Sequence, residues 1–138
     1  TRPLSHTRLV AGTLVAALIS AVANAIVFLV SGALNVPLAI PTPPDLVVTE
    51  ITLAAVVAAS TLPAVGAAVL LYLLERFTKR GRTIFIIVTV VVLALSYVSL
   101  IIFPETVAVS TRLAMGVMHL VPGVVIPVTL LRFTTPQR

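Results

Sequence analysis

The stretch "IFIIVTVVVLALSYVSLIIF", residues 84–103, carries no charge and does not alternate between polar and apolar side chains. A strand of a membrane barrel would alternate over about ten residues. At about 1.5 Å rise per residue, a helix of this length crosses the roughly 30 Å of hydrocarbon in a bilayer. Similar apolar runs occupy residues 9–31, 51–74 and 113–131, and the third run extends over 83–103. The chain has 138 residues, of which 59% are hydrophobic and 9% charged, with a mean hydropathy of +1.22. In soluble domains about a quarter of residues are charged. These features predict an all-α integral membrane four-helix bundle, with residues 1–138 forming a single transmembrane domain. The first run is too long for a signal-peptide core and leads into three more, so it is read as a membrane helix.

Orientation follows from the basic residues. Arg2, Arg8, Arg76, Lys79, Arg80, Arg82, Arg132 and Arg138 fall on one side of a four-span layout, and Arg112 alone falls on the other, with Asp45, Glu50 and Glu105. The positive-inside rule then places the N-terminus, the C-terminus and the basic turn 75–82 in the cytoplasm. The net charge of +5 is accounted for by topology and contact with anionic lipid. No basic stripe with interleaved aromatics suggests nucleic acid as a partner.

The loops carry local signals. In "ERFTKRGR", residues 75–82, Glu75 and Lys79 are spaced to pair at i,i+4, and Gly81 can supply a left-handed helix cap. Helices two and three should therefore form an antiparallel hairpin. The loop 35–50 contains Pro37, Pro41, Pro43 and Pro44, which favour an extended, polyproline-like path. Leu38, Ile40, Leu46 and Val47 suit it to be either a lid over the bundle or a surface resting on headgroups or a partner. Asp45 is a candidate cap for helix two, and Ser110 or Thr111 for helix four.

Small residues mark helix contacts in lipid, where hydrophobic drive between helices is weak. Gly12, Ala16 and Ser20 form such a packing stripe on helix one, ending at Asn24 one turn on. On helix two, Ala55, Ala59, Pro63 and Ala67 share one face, with Ser60, Ala64 and Ala68 beside it. Helix three is mostly Ile and Val in its first half, a face for lipid or for a partner. His119, Asn24, Tyr97 and Ser60 fall within one or two turns of a common depth. Buried polar groups in hydrocarbon need partners, so these four form a candidate polar cluster or ligand site.

On helix four, Met115, His119, Gly123 and Pro127 recur every four residues. Pro122 cannot bond the carbonyl of Met118, so a kink at Pro122 and Gly123 is expected beside His119. The plainer role for His119 is a hydrogen bond to Asn24, Tyr97 or a freed carbonyl that locks the bundle. The sharper one is axial ligation of a haem or chlorophyll. The preferred reading assigns no cofactor and no metal.

Several chemistries lack their residues. There is no cysteine, which removes disulfide exchange and the usual zinc or iron–sulfur ligands. Every acidic residue lies at or beyond a helix end, so a small proton-coupled transporter would lack its membrane carboxylate. One histidine without an acid is not a hydrolytic triad.

The Arg-flanked first helix, the proline-rich loop, the basic turn and "MHLVPGVVIPVTLL", residues 118–131, together resemble small bacterial four-helix integral membrane proteins grouped as a domain of unknown function. Their last helix carries a Met-His pair like Met118 and His119. The resemblance covers the whole chain and implies a multi-pass protein of the bacterial inner (cytoplasmic) membrane, without an activity. The reading that follows is a non-enzymatic accessory or assembly subunit, packed in lipid against other membrane subunits or itself; a respiratory or photosynthetic complex is one host. The alternative is a small-molecule or tetrapyrrole site at His119, and a small transporter is the third choice.

Overall fold

Four helices, each long and apolar enough to cross a membrane, make up most of the structure. The computed structural model describes residues 5–42, 44, 45 and 47–135; Arg2, Pro43, Leu46 and Arg138 lie outside the described residues. The helices are α1 His6–Ala33, α2 Leu53–Phe77, α3 Gly81–Ile101 and α4 Val109–Thr134. Helices α1 and α4 overrun their apolar runs at both ends. Hydropathy marks where lipid begins, whereas a helix continues until its backbone bonds are otherwise satisfied. The end of α1 shows how. Asn35 turns left-handed at φ 55°, Val36 N–H bonds Ser31 O at 2.9 Å and Asn35 N–H bonds Gly32 O at 3.0 Å, a Schellman closure.

The segment between α1 and α2 departs from the all-α expectation. It forms an antiparallel hairpin of β1 Ala39–Thr42 and β2 Val47–Glu50, with Ala39 opposite Glu50 and Thr42 opposite Val47. The β-branched run Val47, Val48 and Thr49 suits a strand, while Pro44 and Asp45 lie in the turn. Pro41 is tolerated because a two-stranded ribbon consists only of edges. The Thr42 hydroxyl donates to Val47 O at 3.0 Å. Asp45 therefore does not cap α2; Thr52 does, accepting Ala55 N–H at 3.2 Å. Ser110 and Thr111 lie inside α4, whose N-cap is Ala108. The Thr111 hydroxyl instead donates to Pro37 O at 2.6 Å, tying the base of the hairpin to α4.

Helix α1 makes the two extensive interfaces, with α2 and α4, and α3 closes the ring against α2 and α4 more loosely. The buried side of α1 contains Gly12, Ala16, Ser20 and Asn24. On α2 it is Val56, Ser60, Ala64, Ala68 and Leu71. On α3 only Gly81, Phe85 and Leu100 are buried, all near its ends. The apolar core, with Leu71, Phe85 and Leu130 fully buried, sits toward the end where the α2–α3 turn and the termini meet.

That end is fastened differently from the sequence expectation. Glu75 pairs with Arg82 Nε at 3.7 Å rather than with Lys79. Both side chains are part-exposed, so the pair contributes about 0–1 kcal/mol. Arg82 also donates to the Thr135 and Thr134 hydroxyls at 2.9 and 2.8 Å, stitching the turn to α4. Gly81 is not a left-handed cap. It is the first residue of α3, and a Cβ there would stand 2.7 Å from the backbone of Leu74 and Glu75. At the hairpin end Arg112 folds over the α3–α4 loop, donating to Phe103, Pro104 and Val107 carbonyls at 3.1, 2.8 and 3.3 Å.

Two glycines should respond with opposite sign. Gly81→Ala forces backbone apart and should lower stability by about 1–3 kcal/mol. A Cβ on Gly66 meets nothing within 4 Å, so Gly66→Ala should gain up to about 1 kcal/mol from helix propensity. Thermal unfolding in detergent micelles reads both.

Candidate functional site

The site is built around a gap in the backbone ladder of α4. Pro122 has no N–H, so the Met118 carbonyl has no partner one turn on. Helix α4 nevertheless runs unbroken from Val109 to Thr134. The missing donor arrives from α1: Asn24 Nδ2 donates to Met118 O at 2.8 Å and to Ser60 Oγ at 2.9 Å. The Ser60 hydroxyl in turn donates to Val56 O at 2.7 Å. A carbonyl can only accept, so the atom facing Met118 must be the amide nitrogen, which fixes the orientation of the side chain. Both Asn24 N–H bonds are thereby used. Its Oδ1 is left buried without a partner, on a residue only 3% exposed. The Ser20 hydroxyl, one turn away, is also buried and unpartnered.

His119 makes none of the three bonds considered for it from sequence. Its Nδ1 lies 2.7 Å from Met115 O of its own helix. Since that carbonyl accepts, Nδ1 carries the proton, and in that tautomer of the imidazole Nε2 is the acceptor. Tyr97 stands apart from the cluster. Its hydroxyl donates to Gly116 O at 2.6 Å and its ring fills the space over Gly116. One helical turn along α3, Leu93 fills the notch at Gly123, where a Cβ would stand 2.6 Å from Leu93 Cδ1. These two contacts pin the C-terminal half of α3 to α4.

With α3 held to α4, a cavity of about 740 Å³ remains between α2, α3 and α4. Phe85 lies at one end; Ile40, Thr42, Thr49 and Glu50 of the hairpin lie at the other. Asn24, Ser60 and His119 all line it. So do Pro122 and Gly123, the residues of the expected kink. The α2 wall is small: Ala55, Ala59, Pro63, Gly66 and Ala67. Ala55, Ala59, Pro63 and Gly66 remain exposed, so the cavity opens to the exterior along α2. Helix α2 thus carries two neighbouring small-residue stripes with different uses. Ser60, Ala64 and Ala68 are buried in the bundle, and Ala55, Ala59, Pro63 and Ala67 leave room. The sequence shows both stripes, and two where one close interface needs one is the available sign of a void. Among the described residues, no three His, Cys, Asp or Glu side chains gather as a metal site.

The chain belongs to the family of unknown function DUF6069, whose sequence pattern matches residues 4–136. No curated protein and no solved structure matches it.

If Asn24 serves chiefly to replace the donor that Pro122 removes, the two positions must be coupled. Asn24→Leu should cost about 1–2 kcal/mol. In a Pro122→Ala background, where the backbone N–H restored by the substitution can bond Met118 O, the cost should shrink by at least about 0.5 kcal/mol. Equal losses in both backgrounds, measured by unfolding in micelles, would refute the coupling.

Proposed function

We propose, starting from membership of this family, that the protein is a non-enzymatic membrane protein that binds an apolar small molecule in the cavity between α2, α3 and α4. The observation that carries this reading is the cavity itself. Its volume, about 740 Å³, falls within the roughly 300–1,000 Å³ of small-molecule sites, which combine mostly apolar walls with a few placed polar groups. Here those groups are Asn24, Ser60 and His119, at one level of the bundle. A molecule dissolved in lipid could enter along the exposed α2 wall without crossing water. The hairpin, with Ile40 and Thr49 over one end, then acts as a lid rather than a free loop. The distribution of basic residues supports cytoplasmic termini in a bacterial inner membrane, which puts the lid on the outer face.

The accessory-subunit reading keeps one observation of its own. The middle of α3 has no buried residue, and Ile86, Ile87, Val90 and Leu95 are between 47% and 63% exposed. A partner helix would fit that ridge, and so would lipid. The cavity favours ligand binding as the first reading and subunit packing as the second. A haem or chlorophyll would be the special case in which the ligand brings a metal to His119 Nε2.

Native mass spectrometry and an absorption spectrum of protein purified in mild detergent test the reading. A small molecule should co-purify at near one per chain. Ala59→Leu with Gly66→Leu, which fill the α2 wall, should reduce it at least about tenfold while the helical fold persists. Wild type and filled variant carrying the same small molecules would refute the proposal, and stoichiometric larger subunits without a small molecule would favour the accessory role. Orientation has its own test, made simple by the absence of native cysteine. Glu105→Cys should react with an impermeant maleimide in intact spheroplasts, and Lys79→Cys should react only after lysis.

A further inference from the structure

The hydrogen-bonding groups on the cavity wall are one-sided. Its donors are already in use. Asn24 spends one N–H on Met118 O and the other on Ser60 Oγ. The Ser60, Thr89 and Ser96 hydroxyls bond backbone carbonyls of their own helices at 2.7, 2.8 and 2.6 Å. Thr42 and Thr49 direct theirs to Val47 O. His119 spends its Nδ1 proton on Met115 O. No lining side-chain donor is left free among the described residues.

The acceptors are not in use. Asn24 Oδ1 is buried with no partner on a residue that lines the cavity, and the lining His119, whose Nδ1 bonds Met115 O, has Nε2 as its remaining ring nitrogen, an acceptor in that tautomer. Two backbone carbonyls also lose their usual helical donor. Pro63 and Pro127 have no N–H to offer Ala59 and Gly123 one turn back, and both of those residues line the cavity. A buried acceptor without a donor costs free energy comparable to a lost hydrogen bond, and the cost is least easily escaped where lipid excludes water.

We propose that the ligand is a neutral hydroxyl-bearing lipophile, a long-chain or fused-ring alcohol or phenol, whose O–H is received at the level of Asn24 Oδ1 and His119 Nε2 while its apolar body fills the space beside α2. This rests on the ligand-binding reading above and narrows it. A ligand whose head only accepts, such as an ether, a ketone, a quinone or a carboxylate, would meet acceptors with an acceptor and leave both unpaired. An ammonium could donate, but it would bring a full charge to mid-bundle, where Asn24 and His119 offer no countercharge; Glu50 lies at the hairpin end. A hydroxyl supplies the missing proton without the charge. A site that hydrogen-bonds a ligand's O–H can discriminate strongly against the analogue that lacks it, because its own polar group is then left unpaired.

The test is competition against an environment-sensitive fluorescent lipophile bound to the full-length protein in micelles. The Ala59→Leu, Gly66→Leu variant supplies the background for sites outside the cavity. Competitors come in two matched series. One comprises 1-hexadecanol, its methyl ether, hexadecanoate and hexadecylamine; the other comprises a fused-ring sterol alcohol, its methyl ether and its ketone. In at least one series the alcohol should displace the probe at about tenfold lower concentration than the ether, ketone or carboxylate. His119→Phe, which keeps the ring volume and removes Nε2, should reduce that preference to about threefold or less, and Asn24→Leu should act likewise if it folds. Equal displacement by ether and alcohol, or a preference for carboxylate or ketone, would overturn the hydroxyl assignment and leave cavity binding intact. A preference for the amine would overturn the neutral-head assignment. Failure of the probe to distinguish wild type from the filled variant would instead overturn the binding reading itself.

Discussion

A proline inside a membrane helix frees the carbonyl one turn back, and for Pro122 the bond from Asn24 to Met118 supplies the missing donor. Water is absent at this depth, so an unpaired carbonyl would carry its full desolvation cost. The asparagine that supplies the proton stands at the end of the Gly12, Ala16, Ser20 stripe, and the stripe is what lets it reach. Only small side chains between α1 and its neighbours bring the backbones close enough for a two-carbon amide to bridge α4 and, through Ser60, α2. Small-residue packing and polar satisfaction are therefore one device. The glycine, alanine and serine residues of the stripe set the distance, and the amide makes that distance specific.

The same close packing leaves its mark on the other half of the bundle. With α1 drawn tightly to α2 and α4, α3 is fastened at the Tyr97–Gly116 and Leu93–Gly123 notches and at its two ends, and the turns between Phe85 and Leu93 bury no residue. The space this creates would ordinarily be filled by large side chains on α2. Instead α2 presents alanine, proline and glycine there. Packing at interior density is the norm in folded proteins, and a face built small against an unfilled volume is the observation on which the proposed ligand rests.

Much of this is legible in the sequence and some is not, for physical reasons. The spans are legible because hydrocarbon thickness imposes a length, and the gap opposite Pro122 because proline chemistry is local. The identity of the donor is not, since Asn24 and His119 both lie near the freed carbonyl in depth and only side-chain reach separates them. The hairpin is hidden behind an apparent extended path: four prolines obscure the run Val47, Val48, Thr49, whose β-branched residues after Pro44–Asp45 are a strand signal. Gly81 reads as a cap because glycine after a helix usually closes it. Its actual role, allowing α3 to start against the backbone of Leu74 and Glu75, depends on the crossing of two helices that no local pattern reports. Charge and capping preference likewise place Arg112 and Thr111, while their bonds to loop carbonyls depend on the tertiary path of those loops.

Asparagine at position 24 is also the choice that joins the fold to the cavity. A serine or threonine there could satisfy Met118 with its single proton, but it would have none left for Ser60 and no amide oxygen to present. An aspartate would present oxygen to a carbonyl. The amide alone has two donors to lock three helices and an oxygen left without a partner. The two ends of that amide are electronically connected, so a donor placed on Oδ1 polarises the N–H bonds that hold Met118 and Ser60. If the proposed ligand donates there, occupancy of the cavity and cohesion of α1, α2 and α4 strengthen together, and a ligand that binds only the folded bundle stabilises it by mass action as well. Under the proposed hydroxyl ligand, the unpartnered oxygen is where the helix lock would meet what lies in the cavity.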